Sequence, residues 1–593
     1  MDRYAAKGGG VAVSALWRRC AAGIFFTALI LATRLPLAPG QLVTFDDVNL
    51  AYSIGHFDIR ISQPQPPGYP LFVLQMRILA FLRFRRVENM LLALAIAGSI
   101  VALLLLMGAG NRIMGKQSGF YAALLLALNP VFWHSGIASA LRIQLAIASL
   151  AVAAACWRAW QGDRFWVSRS AIVLGLAAGI RPEIGPLLFP LWAVSAHRAR
   201  AKWEDVRFAL GAMAFTVLLW LAPAMWASGG PAGYVKACLL YLNDQASVTS
   251  GLFGSTHPYA TFWRLVVWTL AILPGCIFAA MVAWRSSTGW GIGRSRAGFL
   301  ALWFVPPFAI ACFVHLEDPG QALSMIVVVA LLGGYLLQQA VDRLSQSVSR
   351  WHALWLTVAA LGEAWIIDRH DAAFIVIWTP LLTLGLGALL IFGAGQKRAS
   401  VPPLAATLFL LTPPVILNLT MFNHAGWYYR GPGWFGAMLE DLNSGLALTS
   451  LDHIKRTLAI DDHAIRDIKR LSANREDSVL VIWEHGLATW RKLAYYAPQL
   501  PIAVLEHRYI RAGSPPIIAM WRGSHRAPSP SGSAAAVVRA APGTRIIWLL
   551  NPQTEFYAIA QQALQPHAAG SVLYTDLPQT DGSRQLGEYE LVW

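Results

Sequence analysis

Charge is scarce in this sequence. Of its 593 residues only 13% are Asp, Glu, Lys or Arg, and the acidic ones are scarcer still, 31 against 47 basic. Roughly a quarter of an ordinary soluble domain is charged, so the shortage excludes a water-soluble fold for most of the chain. Cysteine is nearly absent as well. Cys20, Cys156, Cys238, Cys276 and Cys312 sit in or beside apolar stretches without metal-ligand spacing, so neither a disulfide framework nor a zinc site is indicated. There is no P-loop, no G-x-G-x-x-G after a strand and no G-x-S-x-G elbow. A nucleotide-driven pump is therefore disfavoured.

What the chain has instead is apolar length. Hydrophobic residues make up 56%, mean hydropathy is +0.49 and there are 25 Trp, the composition of a polytopic membrane protein. The net charge of +16 is not a nucleic-acid signature. Its arginines fall in short loops between apolar runs, as the positive-inside rule expects.

Arg3, Lys7, Arg18 and Arg19 accompany an apolar run from about Trp17 to Leu37 that lacks a small-residue cleavage site. It reads as an uncleaved first helix with its N-terminus cytoplasmic, which puts the segment after it outside. Further runs of spanning length are Met90 to Ala109, Phe120 to Ser139, Ala140 to Trp160, Phe208 to Ala227, Leu265 to Trp284, Ala297 to Val314, Ala322 to Leu337, Leu354 to Ile367, Ala372 to Ala394 and Val401 to Leu419. Tyr69 to Leu82 is short for a span, and Ala171 to Ala196 is split by Arg181-Pro182-Glu183. Charge counting favours an interfacial helix for the first and two short helices for the second. The expectation is about thirteen helices at about 20 residues per crossing.

After Leu419 charged residues become common, and short β-rich runs (Ser478 to Trp483, Pro501 to Leu505, Ile517 to Trp521, Arg545 to Leu550, Ser571 to Thr575) alternate with helical ones (Gly486 to Ala497, Thr554 to Leu564). The expected architecture is a mostly α-helical polytopic membrane domain over residues 1–420 and a soluble α/β domain over residues 421–593.

Two stretches concentrate acidic, proline and glycine residues near the first spans: Phe45-Asp46-Asp47-Val48-Asn49, and Gln63-Pro64-Gln65-Pro66-Pro67-Gly68-Tyr69-Pro70. Paired carboxylates beside apolar helices line a polar cavity more often than they face lipid, the alternative being a solvated external loop. Ser228 to Thr261 reads as a second long external loop with a polar and aromatic mixture. Phe313 to Gln321 reads as a third, bringing His315 and Gln321 to the same outer surface.

With Gly175-Leu176-Ala177-Ala178-Gly179-Ile180-Arg181-Pro182 added, and more weakly Ser228-Gly229-Gly230-Pro231 to Tyr234, this order resembles the GT-C glycosyltransferases. These are integral-membrane enzymes that use polyprenyl-phosphate sugars, and the likeness is greatest to the protein O-mannosyltransferase and aminoarabinose transferase branch and its bacterial relatives. It extends over the first 340 residues or so. Two positions depart from the pattern: Gln65 stands where relatives often have His, and Arg142 lies in the region where they often have an Asp. Gln65 carries no proton in catalysis and Arg142 is no base, so either change signals a different acceptor or lost activity.

The resemblance implies an inverting transfer from a polyprenyl-phosphate sugar to a glycan, lipid or protein acceptor on the periplasmic side of a bacterial inner membrane. Asp46 matches the family's catalytic acid and is the candidate base. Asp47 is the residue to orient it or to hold a second proton, since adjacent carboxylates push their pKa values apart. Arg181 is the candidate cation for the leaving phosphate, against the reading that it snorkels to the interface or pairs with Glu183. Tyr69 shapes the cavity wall, and His315 and Gln321 are further phosphate contacts, against plain solvation. A divalent cation beside the two aspartates is compatible with them, although two acids alone are weak evidence. The rival classes are a transporter or flippase, disfavoured by the absence of an internal hydropathy repeat, and a noncatalytic envelope scaffold.

Overall fold

The computed structural model describes residues 5–115, 117–249, 258–270, 292–314, 316, 318–347, 407, 411, 422, 445, 448–475, 478–484, 489–506, 517–526, 536–552 and 554–593. By contacts the chain divides into two units, Met1–Gly40 with Pro67–His453, and Gln41–Pro66 with Ile454–Trp593.

The first unit is helical. Among the described residues six helices are long and apolar enough to cross a membrane, or seven if the bent pair Ser118–Leu128 and Pro130–Ala138 is one span. The chain is a multi-pass membrane protein. The 64° bend in that pair follows from Pro130, which has no N–H to continue the first helix. Asn129 restarts the helix: its Oδ1 accepts from the N–H groups of Val131 (3.0 Å) and Phe132 (3.2 Å), and its Nδ2 donates to the Trp268 carbonyl (2.8 Å).

The short apolar stretch at Tyr69 is a helix over Pro70–Phe81, and the split one is two helices, Phe165–Ile180 and Ile184–Arg198. Pro182 forces the break between them, because a residue before proline avoids helical backbone; Arg181 is extended, with φ −143° and ψ 107°. One expectation is corrected. The described part of Ser228 to Thr261 is not irregular loop but a helix over Gly230–Thr249 and the start of another over Pro258–Leu270. Residues 234–249 hold no Gly or Pro, so nothing in them interrupts helical backbone. The expected crossings at Leu354 and Ala372, all but residues 407 and 411 of the one at Val401, and the end of the one from Leu265 lie outside the described residues.

Among the described residues the second unit has ten strands, β1 (Val479–Glu484), β2 (Pro501–Glu506), β3 (Ile517–Arg522), β4 (His525–Arg526), β5 (Ala536–Arg539), β6 (Arg545–Leu549), β7 (His567–Ala569), β8 (Val572–Asp576), β9 (Ser583–Leu586) and β10 (Tyr589–Val592). Seven form one sheet in the order β4-β3-β2-β1-β6-β8-β7, with β1 parallel to β2 and β6, and antiparallel strands outside them. Strands β5, β10 and β9 form a second sheet.

Side chains alternate across the seven-stranded sheet, as a period of two requires. Val479, Val481, Ile502 and Val504 face a core with Ile465 and Ile468 of the helix Leu451–Ser472 and with Trp490 and Leu493 of the helix Trp490–Tyr496. Leu480, Ile482, Ala503 and Leu505 face a core with Phe556 and Ala560 of the helix Glu555–Leu564 and with the smaller sheet.

In the membrane unit, small residues set how closely helices approach. A Cβ on Gly334, in the helix Leu323–Ser347, would overlap the backbone of Ala122 and Ser118, and one on Gly110 would come 2.6 Å from the Gly119 Cα. Ser118 Oγ donates to Gln338 Oε1 (2.7 Å) across the same contact. Gly334→Ala is expected to destabilise the detergent-solubilised protein by about 1–3 kcal/mol through overpacking. Gly211→Ala, where nothing lies within 4 Å, is expected to leave thermal unfolding unchanged. Equal melting of both variants contradicts this packing.

Candidate active site

The acidic stretch begins a helix. Thr44 is the N-cap of Phe45–Gly55, and its Oγ1 accepts from the Asp47 N–H (3.1 Å) while Asp47 Oδ2 accepts from the Thr44 N–H (2.9 Å). This reciprocal pair is a capping box, and it separates the two acids. Asp47, 3% exposed, has a carboxylate committed to the helix start, whereas Asp46 is half-buried one position earlier in the first turn. The helix dipole favours a charged carboxylate there.

Burial pushes the Asp47 carboxyl up to about 7, and the charge of Asp46 adds to that, while the Thr44 hydrogen bonds and Lys492 oppose it. Lys492 is itself buried and paired with Asp461, whose Oδ1 also accepts from the Thr489 N–H (2.9 Å). The Thr-x-x-Asp spacing that makes the cap is a short local motif, carried by Thr44 and Asp47 alone.

In the membrane unit a second cluster forms around two buried arginines. Arg181, 3% exposed, forms an ion pair with Glu183, and its guanidinium lies 5.2 Å from the centroid of the Tyr69 ring. Its Nη1 is buried without a hydrogen-bond partner among the described residues. The Gly175 to Pro182 motif supplies the packing that holds it. A Cβ on Gly179 would meet Leu71 and Trp220 at 2.7 Å, and the Gly175 carbonyl accepts from Trp220 Nε1 (2.9 Å).

Arg142, 6% exposed, has Nε 3.4 Å from Asp318 Oδ1 and acts through space on Glu183 as well. Asp318 caps the short turn Pro319–Ala322. Its Oδ1 accepts from the Gly320 N–H (2.6 Å), and Gln321 Oε1 accepts from the Asp318 N–H (3.4 Å). Gly320 is small by need, since a Cβ there would lie 2.5 Å from the Arg142 side chain.

The structure therefore brings Tyr69 together with Arg181, and Gln321 together with Arg142 through Asp318. Asp46 and Asp47 belong to the other unit. His315 lies outside the described residues. Two members of the membrane cluster are not among the residues singled out from the sequence, Asp318 and the buried His134, on which the Asp318 charge acts. A histidine inside an apolar run is the available signal for the second. Tyr234 donates from its hydroxyl to the Pro67 carbonyl (2.6 Å), tying the helix Gly230–Thr249 to the proline-rich stretch. Among the described residues no three of His, Cys, Asp and Glu converge as metal ligands would.

No family model and no protein of curated function matches the sequence. Solved structures do match. ArnT from Cupriavidus metallidurans bound to undecaprenyl phosphate aligns over 95% of this chain and 98% of its own at 13% identity, with a TM-score of 0.53. Its apo state aligns over the same shares at 14% identity and 0.50. The fold is GT-C-like. That likeness takes in nearly the whole chain, the C-terminal unit included. The archaeal oligosaccharyltransferase AglB from Archaeoglobus fulgidus, in complex with an inhibitory peptide and a dolichol-phosphate, aligns over 68% of this chain and 56% of its own at 14% identity, with a TM-score of 0.36, too low to inform the fold.

The Asp47 environment gives a pH dependence with a definite sign. A carboxyl raised from 3.8 when unfolded to about 7 when folded binds more protons in the folded state between those values. Its contribution to stability is present at low pH and is lost as pH rises toward 7. Asp47→Asn, which keeps an acceptor for the Thr44 N–H, is expected to flatten that part of the profile of melting temperature between pH 5 and pH 8. A profile identical to that of the unaltered protein contradicts the assignment.

Proposed function

We propose that this protein is an inverting GT-C glycosyltransferase, taking a sugar from a polyprenyl-phosphate carrier in a bacterial inner membrane to a glycan, lipid or protein acceptor on the periplasmic side. The observation that carries the reading is the buried Arg181, ion-paired with Glu183, 5.2 Å from the centroid of the Tyr69 ring and with an Nη1 that has no hydrogen-bond partner among the described residues. It lies in a chain whose fold is shared almost end to end with a protein crystallised with undecaprenyl phosphate. A guanidinium with a spare donor in a water-poor site is the side chain suited to a phosphate.

In this reading Asp46, partly exposed at a helix start, takes the proton from the acceptor hydroxyl or amine. The acceptor atom bonds to the anomeric carbon from the face opposite the phosphate, so configuration inverts. The bond between that carbon and the phosphate oxygen breaks, its electron pair goes to the oxygen, and polyprenyl phosphate leaves with the charge. Arg181 stabilises that charge, with Arg142 adding to the positive field. Tyr69 holds the guanidinium plane, and Asp47 fixes the helix that presents Asp46. Gln321 supports Arg142 through the Asp318 turn.

Arginines and lysines at 198, 200, 202, 207, 294 and 296 flank the apolar helices on what the positive-inside rule makes the cytoplasmic side. That puts the N-terminus inside and the C-terminal unit in the periplasm.

The reading is tested with a radiolabelled polyprenyl-phosphate sugar in membranes. Asp46→Asn is expected to slow transfer by about 10²–10⁴-fold, the usual contribution of a general base. Arg181→Met is expected to lower kcat by about 10²–10³-fold, with membrane insertion intact for both. Undiminished transfer by Asp46→Asn rejects that residue as the base. Lipid movement across the bilayer without sugar transfer replaces the enzyme with a translocator.

A further inference from the structure

The C-terminal unit holds a full positive charge where an aliphatic side chain would pack at lower cost. Arg491, in the helix Trp490–Tyr496, is 1% exposed, and no carboxylate among the described residues pairs with it. Its Nε donates to Asn49 Oδ1 (3.1 Å) and its Nη2 to the Ile61 carbonyl (3.2 Å). The rings of Trp521, Tyr52 and Trp490 surround the guanidinium at 4.3, 4.8 and 5.1 Å. Burial lowers its pKa only to about 10, so it stays charged at neutral pH.

Both acceptors, and one ring, belong to residues 41–66. Asn49 and Tyr52 are on the helix that carries Asp46 and Asp47, and Ile61 lies beyond its end. The arginine thus grips the segment at two points and spans its return. Other contacts of the same unit pin the ends: Gln41 Nε2 donates to Asp462 Oδ1 (3.0 Å), the Leu42 N–H to the Tyr496 hydroxyl (3.0 Å), and Gln63 Nε2 to the Ser524 carbonyl (2.6 Å). Arg491 holds the middle. Positions 46, 49 and 52 are each three apart, so they lie along one side of the helix. Fixing Asn49 and Tyr52 fixes the rotation of the helix about its axis, and with it the direction of Asp46.

We infer that Arg491 is a positioning residue: it clamps the helix Phe45–Gly55 to the C-terminal unit, so that this unit sets the aim of Asp46. For its kinetic consequence the inference rests on the proposed role of Asp46. Its structural part does not.

The test uses the full-length protein in lipid nanodiscs, with hydrogen–deuterium exchange over residues 45–63 and the transfer assay side by side. Arg491→Met keeps apolar bulk and removes the charge and both hydrogen bonds. Exchange over 45–55 is expected to speed by at least about tenfold, equivalent to ~1.4 kcal/mol of local opening. The kcat is expected to fall by at least about tenfold, with donor KM unchanged. Arg491→Lys, which keeps the charge among the rings and one of the two hydrogen bonds, is expected to fall between. A folding failure of Arg491→Met leaves Asn49→Leu, which removes one acceptor with the ring cage intact and is expected to shift exchange and kcat in the same directions. Unchanged exchange over 45–55 overturns the clamp, and faster exchange with unchanged kcat overturns the positioning role. If Asp46→Asn transfers sugar undiminished, the role of Asp46 as base fails, while the exchange measurement judges the clamp on its own.

Discussion

A guanidinium taken out of water costs several kcal/mol unless its donors and its charge are met, and that cost organises this protein. Among the described residues four arginines are buried, Arg34, Arg142, Arg181 and Arg491. They are met in three ways. Arg34 donates to the Ala127 carbonyl (2.6 Å) and lies over the Trp133 ring, joining the end of the first helix to the bent pair. Arg142 and Arg181 have carboxylates, Asp318 and Glu183, each supplied from an adjacent turn. Arg491 has rings and neutral oxygens only. Apolar side chains would fill these places at less cost, so the arginines mark where helices and segments are held in one arrangement.

The chain distributes its chemistry between two bodies that sequence order interleaves. The acidic helix follows the first membrane helix in sequence, yet its contacts are with the C-terminal sheet unit, and the division falls between Pro66 and Pro67 inside the proline-rich stretch. That unit is more than an appendage. It supplies Arg491 against Asn49 and Lys492 near Asp47, so the acids' surroundings are made by residues remote in sequence.

Much of the fold is legible in the sequence because its signals are local. Apolar runs of spanning length name the crossings among the described residues, Pro182 names the break before Glu183, and short β-rich runs between helical ones name β1, β2, β3, β6 and β8. The helix over Gly230–Thr249 passes for a loop because its Asn, Asp, Gln and Ser residues look like loop chemistry, although its backbone meets no breaker. At the candidate site, the ion pair of Arg181 with Glu183 is visible as near neighbours in sequence. The pairing of Arg142 with Asp318, and the grip of Arg491 on Asn49, join positions no periodicity connects. The capping role of Asp47 is readable from Thr44, but an acidic pair invites a catalytic reading first.

We propose that the membrane unit receives the phosphate of a polyprenyl carrier at Arg181. Native mass spectrometry of the protein extracted in mild detergent tests it without any assumption about sugar or acceptor. A bound polyprenyl phosphate is expected on the unaltered protein and is expected to be lost from Arg181→Met. An unaltered protein that takes up no polyprenyl phosphate even when it is supplied, or a variant that retains it equally, contradicts the claim.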